Sequence, residues 1–302
     1  MVLLAVAGYL AVQYVTGGTG TPGCDVVSGN GDGAGYEFTP EQAVNAATIA
    51  AVGTGRGLPE RAVTIALATA LQESGLRNIG HGDRDSLGLF QQRPSMGWGT
   101  EEEILDPIYS AGEFYEHLVK VPGYTRLPLT VAAQRVQRSG FPEAYAKHEP
   151  DAKLLAAALT GRSAATLTCE GRPGATRAAG ADSVRDALLR DFGRDALQPA
   201  AAEVSGEKAT PSPTPSVIKE DERTVLLPVA DGEGAGRGAR ERGWQLAHWA
   251  VANASDLHIK RVSYAGRQWT AGNTDSQWRA ITGPGAPAAG SGADAVRIVT
   301  SG

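Results

Sequence analysis

Apolar residues recur at helical spacing between residues 39 and 161, and the alternation typical of β-strands is almost absent there. The first helix is predicted to begin after Thr39, which can act as an N-cap and form a capping box with Gln42. A second helix is predicted from Pro59 to Ser74, with Gly75 suited to the left-handed conformation that ends a helix. We therefore expect a mainly α-helical N-terminal region.

Three further helices are predicted in the same region. One begins at Asp106-Pro107, one contains Leu129 to Val136 and is closed by Gly140, and one begins at Pro142, is interrupted at Pro150 and continues to Gly161. Residues 25–38, before the first helix, are rich in glycine and are predicted to form a loop.

The pattern changes after residue 182, where short amphipathic and alternating segments replace long helices. The predicted elements are a helix at Ser183–Phe192, a strand at Thr224–Val229, a helix at Arg242–Leu257, and strands at Ile259–Tyr264, Arg267–Thr270 and Ala295–Val299. Together with the helical region they predict an α+β fold.

The predicted domain organisation follows these changes of pattern. An apolar signal or membrane anchor at 1–20 is followed by a helical domain at 25–165. Residues 166–182 are predicted to be a linker, apart from the patch around Cys169. A small α/β domain follows at 183–302 and contains a Pro/Ser/Thr-rich stretch near 199–216.

The N-terminal run from Val2 to Val15 is shorter than the roughly 20 residues that a membrane span needs. It suits the core of an export signal or a short anchor, and a buried N-terminal helix is the alternative. We predict an extracytoplasmic protein that is anchored in the cytoplasmic membrane or secreted. Cys24 and Cys169 are then expected to form a disulfide, with two unpaired thiols as the alternative.

Charge and metal-binding patterns exclude some functional classes. The net charge of −5 and the absence of a basic patch argue against nucleic-acid binding. His248 and His258 have no ligand-like spacing, so we predict no metal site and no cofactor. One short apolar segment cannot form a transport pathway, which argues against a transporter.

Glu73 is the main candidate for chemistry. On a helical wheel it extends a row of small residues, and Ala62, Ala66 and Ala70 lie within about 60° of it. The C-terminal end of a helix disfavours a negative charge, and partial burial disfavours it further, so both effects should raise the pKa of Glu73. A protonated carboxyl group is what cleavage of a glycosidic bond requires. A solvated surface glutamate is the alternative.

The segments LQESGL and SLGLFQ together resemble the lysozyme-like fold of lytic transglycosylases and goose-type lysozymes. This resemblance covers residues 39–161 and implies that Glu73 is the catalytic acid and base, with no second carboxylate needed for the lytic reaction. It implies that the sugar groove is lined by the segment from Ser86 to Gln91, including Gly88 and Leu89. The family's Ala-Tyr-Asn motif is replaced here by Ala133-Gln134-Arg135, so Gln134 or Gln137 is expected to supply the amide and Tyr145 the phenol.

Other polar and aromatic residues near these motifs allow two interpretations. Asp83 or Asp85 would be the second carboxylate of a hydrolase, which lies about 6.5–9.5 Å from the acid in inverting enzymes, or both would serve a local turn. Trp98 would stack on a sugar or pack in the core. Tyr109 and Tyr115 are expected in the core or at its rim.

The sequence therefore predicts an enzyme that cleaves peptidoglycan between N-acetylmuramic acid and N-acetylglucosamine. The alternative is a non-catalytic peptidoglycan-binding or cell-wall assembly protein with the same groove. In either case the expected partners are peptidoglycan strands. The C-terminal region weakly resembles a domain of actinobacterial exported cell-wall proteins, and binding or scaffolding is its expected role.

Overall fold

The computed structural model describes residues 23–171, 180–197, 218–221, 223–229, 238–272, 277–282 and 294–301. Within them a helical N-terminal region is combined with a smaller C-terminal sheet, so the expected mixture of α and β structure is confirmed. The predicted signal or anchor and the Pro/Ser/Thr-rich stretch lie outside the described residues. In the described part of the chain, no helix has the length and apolar character needed to cross a membrane.

The helices of the N-terminal region follow one another along the chain, and a long segment separates the second helix from the third. They are α1 (Pro40–Gly55), α2 (Glu60–Ser74), α3 (Glu101–Ile104), α4 (Pro107–Val119), α5 (Leu129–Gln137) and α6 (Glu149–Leu159), with 3-10 turns at Pro94–Met96 and Pro142–His148.

Local signals determine where the first helices begin and end. The side chain of Thr39 accepts a hydrogen bond from the Gln42 amide, and the Gln42 side chain accepts one from the Thr39 amide, which forms the predicted capping box. Gly75 ends α2 with φ of +64°, as predicted. Asp106 caps α4 by accepting a hydrogen bond from the Ile108 amide. These boundaries are determined by neighbouring residues, and they are confirmed.

Helix α2 lies in the middle of the helical region. It packs against α1, α4, α5 and α6, and nearly every residue from Ala62 to Leu71 is buried. The row of small residues on α2 therefore faces other helices and allows their close approach. Only the two ends of α2 carry accessible polar side chains, with Gln72 and Glu73 at its C-terminal end.

The loop predicted for residues 25–38 is wrong. Strand β1 (Cys24–Val27) pairs with β2 (Gly35–Phe38) in a hairpin, and β3 (Leu167–Cys169) pairs with β1 on its other edge. The pairing places Cys24 directly opposite Cys169, and the predicted disulfide between them is present. The glycine-rich composition hid the hairpin, because glycine is depleted in strands. The pairing of β1 with β3, whose cysteine lies 145 positions from Cys24, leaves no local signal either.

Other helix boundaries also differ from prediction: the helix predicted at Arg242–Leu257 spans Ala239–Ala252, and further differences lie near proline or glycine. Helix α5 ends at Arg138, which adopts the left-handed conformation with φ of +53°, before Gly140 is reached. Pro142 begins a 3-10 turn and not an α-helix, and Pro150 lies in the first turn of α6 and does not interrupt a helix. Proline is tolerated in a first turn because the amide it lacks would have no helical partner there.

The C-terminal region contains an antiparallel sheet covered by one helix. Its strands are β4 (Ile218–Asp221), β5 (Thr224–Pro228), β6 (Ile259–Tyr264), β7 (Arg267–Thr270), β8 (Arg279–Ala280) and β9 (Ala295–Thr300), in the order β4-β5-β9-β6-β7-β8. Helix α8 (Ala239–Ala252) packs on β6 and β9, and α7 (Ala181–Leu197) packs on α1 and β5.

The C-terminal region is hydrogen-bonded to the helical region at buried positions. The fully buried ring of His248 on α8 bridges the Ala158 carbonyl, 2.8 Å from Nδ1, and the Thr166 amide, 3.2 Å from Nε2. The indole nitrogen of Trp269 donates to the Cys169 carbonyl, and that of Trp278 donates to the Leu167 carbonyl. Because Nε2 accepts the Thr166 proton, the ring is neutral in the folded state.

Burial lowers the pKa of His248 from 6.5 to about 4. The unfolded chain therefore takes up a proton at His248 between pH 6.5 and 4 that the folded chain does not, so acidification should lower the free energy of unfolding by up to about 3 kcal/mol. We expect His248→Gln to lack this part of the pH dependence, and denaturant titrations across this pH range measure it. The exposed His81→Gln is the control. An unchanged pH dependence in His248→Gln would contradict this assignment.

Candidate functional site

A groove of about 700 Å³ lies beside the C-terminal end of α2. Its walls come from the end of α2, the loop and 3-10 turn between α2 and α3, helix α4, and the end of α5 with the loop that follows. The residues that line it include Glu73, Asp83, Arg84, Ser86, Gln91, Arg93, Met96, Trp98, His117, Arg135, Gln137, Arg138 and Phe141.

Glu73 lies on the wall of this groove with its carboxyl group partly buried. The hydroxyl of the fully buried Tyr145 donates a hydrogen bond to Glu73 Oε1 at 2.7 Å. Burial raises the pKa of Glu73, and the hydrogen bonds from Tyr145 and Gln137 lower it, with burial the largest effect. The net result is a raised pKa, in the direction that the position of Glu73 on its helix suggested.

Ser74 connects the end of α2 to the segment from Ser86 to Gln91. Its hydroxyl donates to the Leu89 carbonyl at 2.8 Å and accepts from the Arg77 amide at 3.2 Å. The end of the helix is further held by α1, because the Gln42 side chain donates to the Gly75 carbonyl at 2.8 Å. The structure thus brings the two sequence motifs into direct contact.

Gly88 is required by the path of this segment. It has φ of +73°, its amide donates to the Ile79 carbonyl at 2.8 Å, and a Cβ there would lie 2.6 Å from the Ile104 carbonyl oxygen. Gln91 also has a positive φ of +48°, and its amide nitrogen donates to the Gly88 carbonyl. Two left-handed residues in four therefore produce a tight turn, and such turns are concentrated at binding sites.

Gln137 is the amide of α5 that reaches the Glu73 carboxyl group. Its side-chain nitrogen donates to the Phe90 carbonyl at 2.7 Å, and its amide group lowers the pKa of Glu73. The side chain of Gln134 instead donates to the Ser139 carbonyl at 2.8 Å and stabilises the end of its own helix. The sequence allowed either glutamine to supply the amide beside Glu73. In the structure Gln137 lines the groove together with Glu73, and Gln134 does not.

The two aspartates that could act as a second carboxylate have different surroundings. Asp85 accepts hydrogen bonds from Arg93 Nε at 2.6 Å and from the Ser95 amide at 2.9 Å, and these contacts hold its pKa well below the usual range. Asp85 therefore stabilises the loop. Asp83 is exposed and lines the groove.

Aromatic and apolar side chains form part of the groove surface. Trp98 is partly exposed, and its ring lies 4.3 Å from that of His117 between centroids. Phe141 and Met96, which are 78% and 61% exposed, lie on the same groove. Exposed rings of this kind offer flat apolar surface to a ligand. Tyr115, by contrast, is buried and donates to the Ile49 carbonyl, so it belongs to the core.

The predicted site residues thus fall into three groups. Glu73, Asp83, Ser86, Gln91 and Trp98 line the groove. Tyr145, Gly88 and Leu89 lie behind this surface and support it, whereas Asp85 and Gln134 are hydrogen-bonded within their own loop or helix end.

Several groove residues were not predicted from the sequence. They are His117, Phe141, Met96, Arg84, Arg93, Arg135 and Arg138. Arg135 and Arg138 could have been found there, because these two cations lie at the C-terminal end of the helix that carries Gln137 with no acidic residue between them. His117, Met96 and Phe141 come from separate elements and had no local signal.

Comparisons with known proteins concern the C-terminal region. A family model described as "VldE, C-terminal domain" matches residues 229–291, about a fifth of the chain. No curated protein matches the chain. The described part of the matched segment includes α8, β6, β7 and β8, and it lies outside the groove. The match does not conflict with the resemblance found in the helical region.

Replacement of Glu73 by glutamine tests the electrostatic surroundings of the carboxyl group. The raised pKa of Glu73 means that the folded state disfavours the ionised carboxylate. The free energy of unfolding of wild type should therefore fall, relative to that of Glu73→Gln, as the pH rises through the raised pKa of the folded state. We expect Glu73→Gln to be more stable at pH 7, by about 0.5–1 kcal/mol, with no difference below the ordinary pKa of a glutamate. Denaturant titrations measure this, with the exposed Glu102→Gln as control. Lower stability of Glu73→Gln at pH 7 would contradict the assignment.

Proposed function

We propose that this protein is an extracytoplasmic, lysozyme-like enzyme that cleaves the bond between N-acetylmuramic acid and N-acetylglucosamine in peptidoglycan. The single observation that carries the proposal is the Glu73 carboxyl group, partly buried on a groove wall with a raised pKa. The contact between the Glu-Ser end of α2 and the Ser86–Gln91 segment supports it, because the resemblance assigns both to one site.

The proposed reaction is a lytic transglycosylation. Glu73 gives its proton to the glycosidic oxygen, and the bond from that oxygen to C1 of the muramyl residue breaks. The carboxylate then accepts the proton of the muramyl 6-hydroxyl, whose oxygen bonds to C1 and closes a 1,6-anhydro ring. The products are a strand with a free 4-hydroxyl and an anhydromuramyl end, and Glu73 regains its proton.

The geometry around Glu73 supports each of its two roles. Tyr145 holds one oxygen of the carboxyl group by a hydrogen bond, so the carboxyl group can present its other oxygen to the groove. The hydrogen bond from Tyr145 also stabilises the carboxylate that remains after the proton has left. Tyr145 is thus a positioning residue, and Trp98 and Phe141 supply surfaces on which sugar rings can stack.

Hydrolysis is the competing outcome within the same class of enzyme. An inverting hydrolase needs a second carboxylate to activate water. Asp85 is bound to Arg93 and Ser95, so Asp83, which is exposed on the groove, is the candidate for that role.

A second candidate function is a non-catalytic peptidoglycan-binding or cell-wall assembly protein. The replacement of Ala-Tyr-Asn by Ala133-Gln134-Arg135 favours it, because Gln134 is bonded to Ser139 and does not line the groove. The disulfide is consistent with an extracellular location for either function.

Product analysis with purified peptidoglycan tests the proposal. We expect wild type to release anhydromuropeptides and Glu73→Gln to be slower by at least about 100-fold, because the general acid is lost. The exposed Glu102→Gln, which is the control for loss of one carboxylate, should match wild type.

Other products would lead to other conclusions. Reducing ends in place of anhydro ends, lost in Asp83→Asn, would indicate hydrolysis with Asp83 as the base. Equal binding without release by wild type and Glu73→Gln would support the non-catalytic alternative. Equal release by the two proteins would overturn the role of Glu73.

A further inference from the structure

The two long walls of the groove differ in charge. On one wall, Arg84 and Arg93 are accompanied by Asp83 and Asp85, and Arg93 is bound to Asp85 at 2.6 Å. The other wall, formed by residues 135–141, carries two arginines and contains no aspartate or glutamate. The groove therefore has a positive wall, although the whole chain has a net charge of −5.

The cations of the positive wall are Arg135 and Arg138, and both are exposed. Within the residues that the structure describes, neither guanidinium group makes an ion pair. They lie three residues apart at the end of α5, where side chains at this spacing are neighbours. Two unpaired guanidinium groups on one groove wall can therefore contact the same ligand group.

The backbone at Arg138 gives a second, independent observation. Arg138 ends α5 in the left-handed conformation, which is strained for a residue other than glycine. Gly140, two residues later, is available for a helix end and has no positive φ. A cation near the C-terminal end of a helix is stabilised by the helix dipole, which offsets part of this cost. The fold thus holds a large cation on the groove where glycine would be the least strained choice.

We propose that Arg135 and Arg138 bind an anionic group, a carboxylate or a phosphate, that the glycan strand carries beside the bond cleaved at Glu73. Gln137 lies between them in the sequence and lines the same groove as Glu73, so this wall is continuous with the catalytic carboxyl group. The planar guanidinium forms paired hydrogen bonds with carboxylates and phosphates. This inference rests on the proposed function, and it adds that the enzyme should cleave strands that carry the anionic group faster than strands whose anionic group has been removed.

The anion has two chemical sources in a cell wall. Stem peptides on the muramyl lactyl group supply carboxylates, and polymers esterified to the glycan supply phosphates. Amidation of the carboxylates with a carbodiimide and ammonium removes the first charge, and acid extraction of the phosphate-bearing polymer removes the second.

The experiment compares initial cleavage rates on untreated, amidated and acid-extracted peptidoglycan. The measured quantity is the initial rate on untreated peptidoglycan divided by the initial rate on a neutralised preparation. For wild type at low salt we expect this ratio to be about five to ten for at least one neutralised preparation, and to approach one in 1 M salt. The double variant Arg135→Gln/Arg138→Gln should show a ratio near one. Arg135→Lys/Arg138→Lys, which keeps the charge, should retain most of the preference.

Two controls accompany the measurement. Arg126→Gln removes an exposed arginine that does not line the groove, and its ratio should equal that of wild type. Thermal unfolding shows whether each variant is folded. The preparation that lowers the rate identifies the anion as carboxylate or phosphate, and either result supports the site.

The inference would be overturned if the double glutamine variant had the same rate ratio as wild type. It would also be overturned if the rate ratio of wild type at low salt were one. If wild type cleaves no preparation, the proposed function fails, and co-sedimentation with the same preparations still tests the arginines. Preferential binding of wild type to untreated strands, lost in the double glutamine variant, would support the anion site. Equal binding by both proteins would overturn it.

Discussion

The site depends on one constraint, which is that a carboxyl group has to lie at the end of a buried helix where water is partly excluded. Helix α2 is packed on all sides along most of its length, so its C-terminal turn emerges at a groove and not on open surface. Tyr145 donates a hydrogen bond to the Glu73 carboxyl group there. Ser74 attaches the same turn to the Ser86–Gln91 segment, so the helix end and the groove floor are positioned together.

The C-terminal region contributes to the stability of this arrangement from a distance. Its tryptophans donate hydrogen bonds to the carbonyls of β3, and His248 satisfies both Ala158 and Thr166. A buried group that lost such a partner would incur a desolvation cost of about 1–3 kcal/mol. The segment that matches the VldE C-terminal domain model is therefore hydrogen-bonded to the helical region, on residues that lie outside the groove.

Sequence reasoning succeeded where short-range chemistry determines the structure. The capping box at Thr39 and the left-handed Gly75 follow from residues within one helical turn. The direction of the Glu73 pKa shift also matches the prediction, although its largest cause is burial by the elements packed around it. It failed where partners are distant, since β1 pairs with β3 across most of the helical region. The choice of Gln137 over Gln134 and the position of Tyr145 behind Glu73 likewise depend on how helices pack, which no local pattern encodes.

The central claim is that the surroundings of Glu73 favour its protonated form, and a direct titration of this one carboxyl group tests it. Carbon-13 NMR of the Glu73 side chain, assigned by comparison with Glu73→Gln, would follow its ionisation. The account predicts a pKa above the ordinary value of 4.5, and a still higher one in Tyr145→Phe, which loses a hydrogen bond to the carboxylate. A pKa at or below 4.5 in wild type would contradict it.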